Sequence, residues 1–248
     1  MQDPSAAALE HFRECEASTE GFAVPGDPLV KYRLMSPEHV APGERYPLVI
    51  FLHGAGERGD DNVAQLKYLP EVLATPENRR RYPCFVVAPQ CPAGRQWIEV
   101  PYAEIESRPI TTSGTALRML RAVGSDVIAN NPIDETRIYL TGLSMGGFGS
   151  WYLAAFTADT TAAVAPICGG GDESAAAALK DLPIWAVHGA LDDAVPVERS
   201  RNMIAAIRAA GGSPKYTELP DVGHDSWTPA YEPSFGLLDW LFEQRRKS

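Results

Sequence analysis

Gly142-Leu143-Ser144-Met145-Gly146 is a G-x-S-x-G pentapeptide, and its spacing has a definite chemical use. A strained turn from strand to helix lifts a serine hydroxyl out of a sheet, and glycines two residues to either side avoid side chains that would collide with that turn. A serine hydroxyl is a poor nucleophile at neutral pH. An adjacent base must take its proton and a carboxylate must hold that base in the right tautomer, so the pentapeptide calls for a histidine and an acid elsewhere in the chain. Other glycine-rich motifs do not fit. Gly142, Gly146, Gly147 and Gly149 are out of step with G-x-G-x-x-G, and the Lys and Thr of a phosphate-binding loop are missing.

Five histidines are available as the base. His11 and His39 precede the main apolar runs and read as surface residues. His53 and His188 each close an apolar run in a His-Gly pair, a place where an imidazole supports a loop. His224 lies in the turn-like segment Pro220-Asp221-Val222-Gly223-His224-Asp225 and comes last in the chain order nucleophile, acid, histidine, so it is the expected base. The acid is sought in His188-Gly189-Ala190-Leu191-Asp192-Asp193-Ala194-Val195-Pro196, where Asp192 and Asp193 both qualify by position.

These residues need elements to hold them. Apolar, β-branched runs at 30–35, 47–53, 84–89, 137–142, 162–168, 183–188 and 215–219 read as buried strands. Helical patterns lie between them. Residues 115–129 place Ala116, Leu120, Val123 and Val127 on one stripe, and 145–156 follow the serine. Residues 197–210 carry Met203, Ile204 and Ile207 and stop at Gly211-Gly212, and 235–244 close the chain with Leu238, Leu241 and Phe242. Strands apolar on both faces and separated by helices imply an α/β fold: one doubly wound, mostly parallel sheet covered on both sides. The stretch 90–112 has neither period, yet it carries Trp97 and Tyr102, so it is expected to be a functional loop. Gly169-Gly170-Gly171 reads as a flexible exit from a strand.

Bulk properties exclude several classes. A chain of 248 residues with 45% hydrophobic and 22% charged residues can bury a core and is neither disordered, collagen-like nor a disulfide scaffold. Its length fits one domain better than two. Twenty-two basic against 32 acidic residues give a net charge of −10, which opposes a nucleic-acid partner; the short basic runs Arg79-Arg80-Arg81 and Arg245-Arg246-Lys247 read as solvated surface. No run approaches the roughly 20 apolar residues of a membrane span. The acidic, polar start of the chain has no apolar signal-peptide core, and the compartment stays open. Cys15, Cys84, Cys91 and Cys168 make no zinc-ligand spacing, so no metal is expected, and a Cys84 to Cys91 bridge or buried free thiols both remain open.

Several longer motifs occur together: the run from Pro47 through Leu52-His53-Gly54-Ala55-Gly56-Glu57-Arg58-Gly59, then Ala88-Pro89-Gln90-Cys91-Pro92, the serine pentapeptide, Pro166-Ile167-Cys168-Gly169-Gly170-Gly171, and Gly223-His224-Asp225-Ser226-Trp227. With them the chain, from about residue 29 to 242, resembles the α/β-hydrolases, in particular the esterase branch related to prolyl oligopeptidase and to bacterial feruloyl and acetyl xylan esterases. The resemblance implies that Asp192, at the first position of Asp-x-x-Val-Pro, is the acid and Asp193 a solvated neighbour. It also implies an oxyanion hole made by the backbone N–H groups of Met145 and Ala55. The expectation is a metal- and cofactor-independent serine carboxylesterase that uses Ser144, Asp192 and His224 on small soluble or aryl, feruloyl-like esters through an acyl-enzyme. Trp97 and Trp227 are the expected substrate-binding aromatics, and Glu57 and Arg58 are expected to pair and brace their loop. Residues 1–28 are set apart as an N-terminal extension from a catalytic domain at 29–248. Lids in this fold commonly follow the strand after the nucleophile helix, and 169–182 is too short for a large one. The alternatives are a serine peptidase of prolyl oligopeptidase type acting on short peptides, and a hydrolase homologue that binds ligand without turnover.

Overall fold

The chain runs through β2 (Leu29–Met35), β3 (Tyr46–Leu52), β4 (Phe85–Pro89), β5 (Ile133–Leu143), β6 (Ala163–Ile167), β7 (Trp185–Gly189) and β8 (Lys215–Leu219), each on one of the seven apolar runs of the sequence. In this computed structural model residues 3–22, 29–98 and 115–246 are described; Tyr102, most of the loop that carries it, and the side chains of residues 116 and 117 lie outside them. An eighth strand, β1 (Phe12–Ser18), forms one edge, and the sheet order is β1-β2-β4-β3-β5-β6-β7-β8. β1, β2 and β4 pair antiparallel, and every pairing from β4 to β8 is parallel.

β1 has no apolar alternation to betray it. Its sequence, FRECEAS, buries only Phe12 and Ala17 and turns charges outward, which suits an edge that must not recruit another strand. The buried Arg33 of β2 fastens it, with Nη1 donating to Phe12 O at 2.9 Å and Nη2 to Glu14 Oε1 at 2.8 Å. The segment set apart as an N-terminal extension therefore supplies a strand of the same sheet.

The central strands are apolar on both faces because helices cover both. Strand side chains alternate between faces, so Val49 and Phe51 pack with α1 (Ala6–His11), α2 (Leu69–Ala74), α8 (Trp227–Tyr231) and α9 (Leu237–Glu243) through Leu69, Leu73, Tyr231, Leu238 and Leu241. On the other face Leu48 meets Met119, Val123 and Val127 of α4 (Thr115–Asn130). There too Leu52 and Leu140 meet Phe148 and Trp151 of α5 (Met145–Thr157) and Met203, Ile204 and Ile207 of α7 (Glu198–Ala209). Leu120, Val123 and Val127 of the stripe read at 115–129, and Met203, Ile204 and Ile207 of that at 197–210, lie on the buried faces of α4 and α7. The connection from β6 to β7 holds a 3-10 turn at Glu173–Ala175 and the four-residue helix α6 (Ala176–Leu179), and no large lid. Among the described residues no helix is long and apolar enough to cross a membrane.

From β3 the chain steps outward to β4 on one side, and from β5 it proceeds to β6, β7 and β8 on the other. The carboxyl ends of β3 and β5 thus flank the point where strand order reverses, where a crevice opens beyond an α/β sheet. The segments after β3, β5, β7 and β8 carry Ala55, Ser144, Asp192 and His224.

Candidate active site

Ser144 sits between β5 and α5 with φ +53° and ψ −116°, a conformation few residues other than glycine adopt and one that stores strain. Two backbone bonds hold it there: its N–H donates to Ile167 O at 3.0 Å, and its C=O accepts the Phe148 N–H at 3.1 Å to open the first turn of α5. That turn lies directly on the end of β3. A Cβ on Gly146 would stand 1.8 Å from Leu52 O and 2.8 Å from His53 O, so only glycine allows the approach.

The loops after β7 and β8 are joined in the same way. A Cβ on Gly189 would meet Gly223 O at 2.1 Å, and Leu191 N–H donates to Val222 O at 2.9 Å. Asp192 hangs from this junction with its side chain fully buried. Its Oδ1 accepts the N–H groups of Ala194 at 2.9 Å and Val195 at 2.8 Å, and its Oδ2 lies 2.8 Å from His224 Nδ1. His224 Nε2 in turn lies 2.9 Å from Ser144 Oγ. A carboxylate can only accept, so Nδ1 carries the proton and Nε2 is free to accept the serine O–H. The structure thus brings Ser144, His224 and Asp192 into one hydrogen-bonded chain and leaves Asp193 exposed beside it. Of the other histidines, His39 is exposed, His11 ends α1, and His53 and His188 are fully buried.

Ala55 and Met145 each begin a helical turn, where N–H groups lack intrahelical acceptors. Among the described residues neither N–H has a protein acceptor. His53 anchors the segment leading to Ala55. Its Nδ1 lies 2.6 Å from Gly54 O, its Nε2 accepts the Cys91 N–H at 2.9 Å, and its carbonyl accepts Trp97 Nε1–H at 2.9 Å. Arg58 donates to Ala55 O at 2.9 Å rather than to Glu57, so the expected Glu57–Arg58 pair is replaced by an Arg58–backbone brace. Gln90 staples the following turn, accepting from Asn62 N–H at 2.7 Å and donating to Glu57 O at 3.1 Å.

Because His53 Nε2 accepts a backbone N–H, the ring must stay neutral. Burial pushes its pKa from 6.5 down to about 4, against an opposing pull from the Gly54 carbonyl. Between those two values the unfolded chain holds a proton that the folded chain refuses. This contribution to stability is therefore full above pH 6.5 and is lost as pH falls to about 4, by about 3 kcal/mol in total. His188, also pushed down by burial, acts in the same direction. Urea midpoints measured across this window should fall with pH, and His53→Gln should flatten the slope. An unchanged slope in that variant would place the acid sensitivity elsewhere.

The two tryptophans have different places. Trp97 is 2% exposed and packs on Gly149 behind the Ala55 loop, so its position is that of a buried brace. Trp227 is half-buried, with its ring edge-on to His224 at 5.2 Å between centroids and to Tyr68 at 5.5 Å. Tyr68, absent from the sequence reading, sits at φ +65°, and only this backbone conformation, invisible in composition, would have flagged it. The Gly169-Gly170-Gly171 run is buried rather than a loose exit, with Gly169 against Gly147 of α5 and Gly170 against Arg199 of α7. All four cysteines are free thiols. Cys168 offers its sulfur within 4.8 Å of ligand atoms of Asp192 and His224, but burial pushes its pKa up to about 12, so it stays a protonated thiol.

The reversed strand order, the strained serine turn and the acid and histidine loops at the carboxyl edge define an α/β-hydrolase. The chain belongs to the phospholipase/carboxylesterase family, whose sequence profile matches residues 39–232. A thermostable esterase of known structure is 37% identical and superposes with a TM-score of 0.83, covering 96% of this chain and 64% of that one. A bifunctional acetylxylan esterase/xylanase of Neocallimastix patriciarum is 34% identical over 76 residues, 31% of this chain and 11% of that protein. A protein of Oryza sativa subsp. japonica described as a "probable inactive carboxylesterase" is 26% identical over 199 residues, 74% of this chain and 79% of its own length.

Proposed function

We propose that the protein is a serine carboxylesterase acting on small soluble or aryl esters through an acyl-enzyme. The observation that carries this reading is the unbroken hydrogen-bond chain from Ser144 Oγ through His224 to the buried Asp192. Ser144 attacks the ester carbonyl as His224 Nε2 takes its proton. The negative charge that develops on the carbonyl oxygen falls to the unengaged N–H groups of Ala55 and Met145. Asp192 stabilises the imidazolium, which then protonates the departing alcohol. Water, deprotonated by the same imidazole, releases the acid and restores the serine. Trp227 and Tyr68 supply an aromatic wall beside His224 for a ring-bearing substrate.

The test is a panel of p-nitrophenyl, acetyl, feruloyl and aminoacyl-amide substrates assayed across pH. Esters should turn over faster than amides, and aryl acyl groups should have the lowest KM. Since a protonated imidazole cannot accept the serine proton, kcat/KM should fall on the acid side of its profile. A profile flat through the histidine range would remove His224 from the base role. The rice relative's description supports a binding-only reading, and ligand affinity without turnover in any ester of the panel would favour it.

A further inference from the structure

His188 is the penultimate residue of β7, one before Gly189 and four before Asp192, and it is fully buried. Its Nε2 lies 3.0 Å from Val195 O and 3.2 Å from Asp192 Oδ2. Both of those atoms can only accept, so the ring carries its proton on Nε2. On its other side Nδ1 lies 2.8 Å from Ser200 Oγ of α7, whose single proton goes to Nδ1 in the neutral ring and not at the same time to Gly169 O, 3.0 Å from that oxygen. The Oδ2 atom that His188 reaches is the one His224 Nδ1 uses. Asp192 therefore accepts from two backbone N–H groups on Oδ1 and from His224 on Oδ2, and the His188 Nε2–H, bonded to Val195 O, reaches the same Oδ2 as its longer second acceptor at 3.2 Å.

We propose that His188 is a positioning residue that acts through Asp192: its Nε2–H shares Oδ2 with His224, fixes the carboxylate's orientation and limits the negative charge that Oδ2 presents to His224. The inference rests on the triad reading above. A neutral donor suits this role, because it takes up carboxylate charge without placing a cation beside a base that must itself become one. Burial pushes His188 toward that neutral form, while Val195 O and Asp192 pull the other way. The other titratable groups nearby leave the arrangement in place. Glu218, opposite His188 on β8, is paired with Arg201 of α7 at 2.6 Å and bonded to Tyr216 at 2.8 Å. Cys168 stays protonated beside the triad, Arg199 of α7 packs on Gly170, and Asp225 follows His224 on an exposed turn.

Removing the His188 donor leaves more charge on Oδ2 for the imidazolium of His224. The acid limb of kcat/KM should then move up, by about half to one pH unit, and plateau kcat should drop about 3- to 10-fold with little change in KM. The variant that removes the donor while keeping a polar group toward Ser200 is His188→Asn. His188→Gln places an amide N–H near the Nε2 position and should bring the limb back toward wild type. An acid limb that stays put in His188→Asn, or one that moves equally in both variants, would overturn the proposal in favour of simple packing.

A wild-type measurement keeps the test independent of folding in the variants. Histidine 15N NMR should show His188 as the neutral Nε2–H tautomer at neutral pH, with its Nε2 shift changing across the acid limb of the kcat/KM profile. A Nδ1–H tautomer, or a His188 signal that does not change across that limb, would overturn the proposal. Absence of ester turnover alongside the expected tautomer would instead sink the esterase reading and leave the shared carboxylate standing.

Discussion

Ser144→Ala is expected to fold as wild type does and to lose about 10⁴- to 10⁶-fold in kcat on every ester that wild type hydrolyses. The size of the loss follows from how the residues act. On the proposed mechanism Ser144, His224 and Asp192, linked at 2.9 and 2.8 Å, act as one unit, so deleting the nucleophilic atom removes the contribution of all three. What survives is whatever the N–H groups of Ala55 and Met145 and the aromatic wall do for a water molecule attacking in place of the serine. The fold should be unaffected, because the backbone bonds to Ile167 O and from Phe148 N–H set the turn, and the hydroxyl takes no part in them. A fluorophosphonate should label wild type and leave Ser144→Ala unmodified, with near-identical circular dichroism for the two. Equal labelling, or equal turnover, would show that another residue is the nucleophile.

Gly146→Ala is the substitution expected to damage the structure most for the fewest atoms. The added methyl group would lie 1.8 Å from Leu52 O and 2.4 Å from Leu52 C, and both are backbone of the central strand β3. No rotamer can relieve that contact. Either α5 lifts off the sheet, exposing Phe148 and Trp151, or β3 shifts and breaks its pairing with β5. A cost of about 3 to 5 kcal/mol, at the upper end for overpacking, is a large share of the total stability of a domain this size. Urea unfolding should show it directly, and an insoluble product would be the extreme of the same effect. Gly124→Ala is the matched control: it lies inside α4 with nothing within 4 Å of the added carbon, so it should be neutral or stabilising by about 0.5 to 1 kcal/mol. A Gly146→Ala protein as stable as wild type would mean that the helix and strand do not meet as closely as described.

The central strands were legible where they are buried on both faces and therefore apolar: 47–53 and 84–89 differ from β3 and β4 only at their ends, whereas β5 begins four residues before the run at 137–142, because its first residues include Asp134 and Glu135. β1 was not, because an edge strand buries one side at most and this one keeps its charges. The short helices α1, α2 and α3 (Pro76–Arg81) escaped for a related reason: six residues make fewer than two turns, too few for a 3.6-residue period to show. Within the site, Asp192 and Asp193 are indistinguishable as neighbouring aspartates. One is buried under two N–H groups and an imidazole, and the other is in water. Trp97 and Trp227 are equally alike on paper, and burial alone separates the enclosed Trp97 from the half-buried Trp227 beside His224.

What the linear chain determined was therefore everything that depends on residue type and local order: a parallel α/β sheet, a serine held on a turn between strand and helix, and an acid and a histidine following it at successive strand ends. These are dictated by sterics and periodicity within a few residues, which is the range over which a sequence can be read. Tertiary structure decided what depends on distance between remote segments. It determined that Gly146 and Gly189 are points of backbone contact, that Tyr68 faces Trp227, and that two imidazoles meet one carboxylate oxygen. Such contacts arise only when separate strands come to lie side by side, and no local pattern encodes which atoms will then face each other.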